Sequence, residues 1–133
     1  MKILAIESSA KAVSAAVCEE GRLIAYSYQN SGLTHTRTLL PLIKDMLKNS
    51  ELELSDIGLI AVARGPGSFT GVRTACGVVQ GLAFGAGLPV LPVVTLAAMA
   101  QACREISGTS DVLAILDARM GEVYWAQYRY DAG

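Results

Sequence analysis

The segment Arg64-Gly65-Pro66-Gly67-Ser68-Phe69-Thr70-Gly71-Val72-Arg73 constrains this chain more than any other, because it forces an apolar strand pattern to become a helical one within a few residues. Before it, Ile60-Ala61-Val62-Ala63 is a short apolar run of the kind a buried parallel strand needs. After Gly71 the apolar residues recur at helical spacing. Ser68 or Thr70 is placed to cap the new helix. Free N–H groups at such a start favour negative charge, which makes Gly67, Ser68 and Thr70 candidate anion contacts. The known phosphate loops fit poorly. A nucleoside-triphosphatase loop needs Lys and then Ser or Thr after its second glycine, and here Val72-Arg73 follow. The dinucleotide fingerprint fails on glycine spacing and lacks a carboxylate near Leu91. A tight strand-to-helix turn is therefore the preferred reading over a phosphate cradle.

The 133 residues are 52% hydrophobic and 17% charged, enough apolar content for a folded domain with a real core. A formal net charge of −1 provides no basic footprint, so any RNA link runs through a partner. Three widely spaced cysteines set among apolar neighbours, Cys18, Cys76 and Cys103, suit free buried thiols in a reducing cytosol. Met1-Lys2 precedes only four apolar residues before Glu7, too few for a secretory core, and a cytoplasmic location is expected. Gly81 to Ala100 has Thr95 as its sole polar side chain and is long enough to cross a bilayer. Gly85, Gly87, Pro89 and Pro92 break it, however, and predict a buried helix-strand-helix unit with no membrane partner.

Patterning predicts strands over 2–7, 12–18 and 23–29, with Glu19-Glu20-Gly21 turning a hairpin between the last two. A helix opened by Thr34 or Thr36 runs to Asn49, with Pro41 acceptable in its first turns. A strand over 57–63, the loop, a helix over 70–86, a strand over 90–94 and a helix from Thr95 to Ile106 follow; Thr95 caps the last helix and Gly108 ends it. Two further strands cover 112–117 and 122–130. A shift of 110 positions lays Ile3 on Leu113, Ile6 on Leu116, Glu7 on Asp117, Val13 on Val123 and Ala16 on Ala126. The opening motif begins again, so residues 1–107 are expected to form one lobe and 108–133 the first hairpin of a second.

Both early helices are more apolar than one packed face requires. Leu39, Leu40, Leu42, Ile43, Met46 and Leu47 span an arc of about 160°, against roughly 100° for one buried stripe. On the next helix Val72, Ala75, Cys76, Val79, Leu82, Ala83 and Ala86 share one side, and Gly77, Gly81 and Gly85 line the other. Each helical glycine costs about 1 kcal/mol relative to Ala, so three in register need a reason. The expectation is that the glycines lie on the sheet and the apolar side meets a partner. Leu39, Ile43, Met46, Leu47, Val72, Cys76, Val79 and Ala83 are the interface candidates.

Catalytic equipment is sparse. His35 is the sole histidine and reads as a helix-start residue with a ring nitrogen satisfied locally; cysteines this scattered make no metal site with it. No Gly-x-Ser-x-Gly elbow and no Cys-x-x-Cys pair occurs. Glu7 and Asp117, each ending a strand, are the pair that could hold a magnesium-bound nucleotide, with Ser8, Ser9 and Arg119 as candidate phosphate contacts. Structural strand-end acids are the preferred reading.

Met1 to Ser9, the segment Gly65 to Arg73, and Asp117-Ala118-Arg119-Met120-Gly121-Glu122-Val123-Tyr124-Trp125-Ala126 resemble the bacterial TsaB family, also called YeaZ. The resemblance runs through the whole chain and corresponds to the first half of a usual member. It implies an α/β, actin-like, sugar-kinase-like fold: a mixed sheet flanked by helices. It implies a non-catalytic scaffold or activator in the machinery that forms N6-threonylcarbamoyladenosine at position 37 of tRNAs reading codons that begin with A. The implied partners are a TsaD-type transferase and a TsaE-type ATPase, with a homodimer when the transferase is absent, and tRNA reached only through the complex. The family pairs through helices matching 36–49 and 70–86. No cofactor is required by this reading; ATP or ADP with magnesium belongs to the rival one, a nucleotide-binding ATPase or kinase, and a metallopeptidase is the other rival. The transferase paralogue carries His-x-x-x-His where this chain reads Thr95-Leu96-Ala97-Ala98-Met99-Ala100-Gln101.

Overall fold

A computed structural model describes residues 1–30 and 35–131. Strands β1 (Lys2–Glu7), β2 (Val13–Glu19) and β3 (Arg22–Gln29) are followed by α1 (His35–Asn49), a 3₁₀ turn (Leu54–Asp56) and β4 (Ile57–Ala63). Then come α2 (Phe69–Ala86), β5 (Val90–Val93), α3 (Thr95–Ser107), β6 (Asp111–Arg119) and β7 (Glu122–Arg129). The first five strands form one mixed sheet in the order β3-β2-β1-β4-β5, antiparallel through β1–β2–β3 and parallel through β1–β4–β5. Strands β6 and β7 make a separate antiparallel pair. Glu20 and Gly21 take positive φ between β2 and β3, as Met120 and Gly121 do between β6 and β7, the backbone that a two-residue hairpin turn demands.

The apolar stretch does run helix, strand, helix, but it is not the buried unit expected: Phe84, Val90 and Leu91 are exposed, since one side of α2 and the edge strand β5 are left uncovered, and the cysteines are not buried either, with Cys18 and Cys76 half-buried and Cys103 exposed. Among the described residues no helix is long and apolar enough to cross a membrane. Pro41 sits in the second turn of α1. Thr36 lies in α1 but its side chain, like all of Thr34, is outside the described residues. Gly108 closes α3 at φ 72°.

The core corrects the interface expectation. Leu39, Ile43, Met46 and Leu47 of α1 and Val79 and Ala83 of α2 are buried within the chain, packed with Leu4, Ile6, Val13, Val17, Ile60 and Val62 of the sheet. Val72 and Cys76 are half-buried at the flank. The wide arc of α1 is consumed because that helix meets two neighbours, the β2–β3 side of the sheet and α2. Side chains such as Leu39 and Ile43, at 0% and 1% exposure, each contribute about 1.5–3 kcal/mol by burial.

Helix α2 is also turned opposite to expectation. Gly71, Ala75, Val79 and Ala83 form its buried stripe, and a Cβ added to Gly77, Gly81 or Gly85 would meet nothing within 4 Å. The apolar stripe outcompetes glycine for the sheet because only side chains can fill the space there.

Candidate functional site

The carboxyl ends of β1, β4 and β5 lie side by side, the edge at which open α/β sheets usually bind ligands. The chain fills much of this edge itself. Ser68 caps α2, its hydroxyl accepting from Gly71 N–H at 3.2 Å, and its own N–H donates to the Ser9 carbonyl at 2.7 Å. The buried Ser8 hydroxyl donates to the Gly71 carbonyl at 2.6 Å. A Cβ on Gly71 would stand 1.9 Å from the Ser8 oxygen, and one on Gly67 would stand 2.6 Å from Ser9 Cβ. These two glycines let the β1–β2 turn seat directly on the helix start. Gly65, at φ 105°, makes the bend that precedes it.

Two N–H groups that an anion would use are thus already satisfied. Glu7 accepts from both the backbone N–H and the hydroxyl of Ser9 through one carboxylate oxygen, which orients it at the end of β1. Thr70 is exposed on the first turn of α2, and its carbonyl accepts from the Thr74 hydroxyl. The structure therefore brings Glu7, Ser8, Ser9, Gly67 and Ser68 together. Asp117 lies in the other sheet, opposite Val123, and β6 continues past it through an irregularity to Arg119. It is not the strand end that was expected. The Arg119 side chain falls outside the described residues.

The remaining expectations are mixed. His35 Nε2 lies 3.1 Å from the Lys11 carbonyl, so its ring partner is distant in sequence rather than local. Thr95 does not cap α3: Val94 holds that position, and the Thr95 hydroxyl is buried without a hydrogen-bond partner. Its N–H donates to the Gly65 carbonyl, tying α3 to the loop.

A second feature is the outward face of α2. Phe84 there is 93% exposed and Phe69 73% exposed, with the Arg73 guanidinium 4.8 Å over the Phe69 ring. Gly77, Gly81 and Gly85 lie bare among them. Sequence reasoning missed Phe84; the signal was a large aromatic falling on the glycine side of the helix rather than the apolar one.

Comparison with solved structures places this arrangement. YeaZ from Pseudomonas aeruginosa superposes with a TM-score of 0.88 at 44% identity, covering 98% of this chain and 60% of that one. A second structure, described as an uncharacterized protein with similarity to peptidase YEAZ from Pseudomonas aeruginosa, gives 0.89 at the same identity and coverage. The class is thereby defined: an actin-like α/β protein, with a mixed sheet carrying helices. The family model described as TsaD, tRNA N6-adenosine threonylcarbamoyltransferase, matches residues 23–133. The tRNA threonylcarbamoyladenosine biosynthesis protein TsaB of Escherichia coli is 47% identical over 131 residues, 98% of this chain and 56% of that protein. Its namesake in Bacillus subtilis is 32% identical over 133 residues, all of this chain and 57% of that protein. The chain belongs to the TsaB (YeaZ) family. It spans a little over half the length of these curated relatives.

Proposed function

We propose that this chain acts in the formation of N6-threonylcarbamoyladenosine on tRNA as a non-catalytic subunit that docks onto a TsaD-type transferase. The observation that carries the docking mode is the outward face of α2, where a fully presented Phe84 stands beside three bare glycines. Three glycines in an exposed helix cost stability that no contact among the described residues repays. Close approach of another backbone, with Phe84 seated in its surface, accounts for them.

The non-catalytic part of the reading is supported by how the strand-end edge is used. Ser8, Ser9, Gly67, Ser68 and Gly71 serve to lock β1 to α2, and Glu7 is bonded to its own turn. Among the described residues no group of three His, Cys, Asp or Glu side chains is placed to hold a metal ion. The complex would take its nucleotide chemistry from a TsaE-type ATPase, reach tRNA through the transferase, and leave this chain to self-pair when the transferase is absent.

Reconstitution tests this. The chain, a TsaD-type subunit, a TsaE-type ATPase and unmodified tRNA should yield modified tRNA, and Phe84→Asp should reduce both the yield and transferase binding. Turnover of ATP by the chain alone, abolished by Glu7→Gln, would instead establish the enzyme reading.

A further inference from the structure

The net charge of −1 averages over charges that the fold sorts by edge. Along the carboxyl edge of the five-stranded sheet, Lys11 stands in the β1–β2 turn, Arg64 just past β4, Arg37 near the start of α1 and Arg73 near the start of α2, and all four are exposed. Glu7 is the acid on this edge among the described residues, and its carboxylate is bonded to the N–H and hydroxyl of Ser9. None of the four cations forms an ion pair among the described residues. The opposite edge mixes signs: Glu19, Glu20, Glu51, Glu53 and Asp56 lie there with Lys2, Arg22 and Lys48, and Lys2 pairs with Glu19. Helices α1, α2 and α3 all begin at the carboxyl edge, so three positive helix ends add to its cations.

Hydrogen bonds hold these parts together. The Ser68 N–H to the Ser9 carbonyl, at 2.7 Å, sets the turn that carries Lys11 against the start of α2. His35 Nε2, 3.1 Å from the Lys11 carbonyl, brings in the start of α1, and the Arg64 N–H donates to the Val93 carbonyl at 2.9 Å. The cations are therefore mounted on one locked junction.

Phe69 adds what an ionic patch lacks. Its side chain is 73% exposed, with the Arg73 guanidinium 4.8 Å from the ring centroid. An exposed aromatic among cations is the composition of a platform for single-stranded nucleic acid, in which cations meet phosphates and the ring stacks on a base. An acidic protein surface would use the cations and leave Phe69 unexplained. A free nucleotide would draw on the backbone donors of the loop, and the N–H groups of Ser68 and Gly71 are already bonded within the chain. Phe69 lies about 22 Å from Phe84 along the axis of α2, so the two ends of the helix can serve different partners.

We infer that the carboxyl edge of the five-stranded sheet holds a single-stranded segment of the tRNA directly, with Lys11, Arg37, Arg64 and Arg73 on its phosphates and a base stacked on Phe69. The inference rests on the proposed role in tRNA modification and goes beyond it, since there the RNA is reached through the transferase.

The test measures binding of labelled, unmodified tRNA by fluorescence anisotropy, with the chain bound to a TsaD-type subunit and with the chain alone. Arg64→Gln combined with Arg73→Gln should weaken binding at least about tenfold in about 0.1 M salt, and should lower the slope of log affinity against log salt by about 1 to 2. Phe69→Ala should weaken it at least about fivefold. Arg22→Gln, at the opposite edge, should change it less than about twofold. Light scattering should show the transferase complex intact in every variant. In the unaltered chain, tRNA should protect Lys11 from acetylation and leave Lys2 reactive, a readout that needs no variant to fold. If the transferase does not bind the unaltered chain, the docking reading falls and Lys11 protection in the chain alone decides this one. Unchanged affinity and slope in the double arginine variant, unchanged affinity in Phe69→Ala, an unprotected Lys11, loss of transferase binding in place of tRNA binding, or displacement of the tRNA by an equal concentration of ATP with magnesium would each overturn the inference.

Discussion

The Ser8 hydroxyl donates to the Gly71 carbonyl across 63 residues of sequence, and this bond pins the turn after β1 to the first turn of α2. The region that looks in sequence like an anion loop is thereby held closed by its own chain.

Gly71→Ala should cost at least about 1–3 kcal/mol, because a methyl 1.9 Å from the Ser8 carbonyl has backbone as its obstacle. Ser8→Ala should cost about 1 kcal/mol through the lost bond. Urea denaturation measures both, and a neutral Gly71→Ala would contradict the close seating.

Val79→Asp and Met46→Asp should prevent folding, since each puts a carboxylate where exposure is 1% and 4%. Phe84→Asp should leave circular dichroism unchanged. A well-folded Val79→Asp chain with altered association would restore the interface first expected from the sequence.

Gly81→Ala should stabilise the isolated chain by about 0.5–1 kcal/mol, because its Cβ meets nothing and Ala is the better helix former. The same substitution should weaken transferase binding. A gain in both would remove the glycines from the contact.

Thr95→Val should raise stability by about 1 kcal/mol or leave it unchanged, since the hydroxyl is buried without a partner. A loss above that size would reveal a bond partner for the hydroxyl.

Lys2 pairs with Glu19 at 2.9 Å across the first hairpin. Their hydrogen bond raises the Lys2 pKa and lowers that of Glu19, with the Coulombic attraction acting the same way. The lowered acid contributes stability above its unfolded pKa, lost as pH falls through the folded value. The raised base contributes below its unfolded pKa, lost as pH rises through the folded one. The pair should therefore help across the neutral range, and Lys2→Met should narrow that range by an amount that shrinks in 1 M salt.

Much of the architecture was legible locally. Strand and helix spans came from periodicity, the α2 cap was narrowed to Ser68 or Thr70, of which Ser68 is the one used, the hairpin was read from Glu19-Glu20-Gly21 and the end of α3 from Gly108, because each depends on neighbours along the chain. The mismatch at Thr95 arose because Val94 enters the helix with extended backbone, leaving the threonine one position too late to cap.

Alternation and turn chemistry along the chain were enough to settle which segments are strands and helices and that a tight junction joins β4 to α2. Which side of α2 is buried was not settled there. Its alanine-valine stripe and its glycine stripe both permit close packing, and helical periodicity separates two faces without saying which one meets the sheet. The fold resolved it through long-range fit: Ala75 and Val79 fill the space above β1 and β4, the Ser8 turn leaves no room for a Cβ at Gly71, and the other glycines and Phe84 consequently face outward.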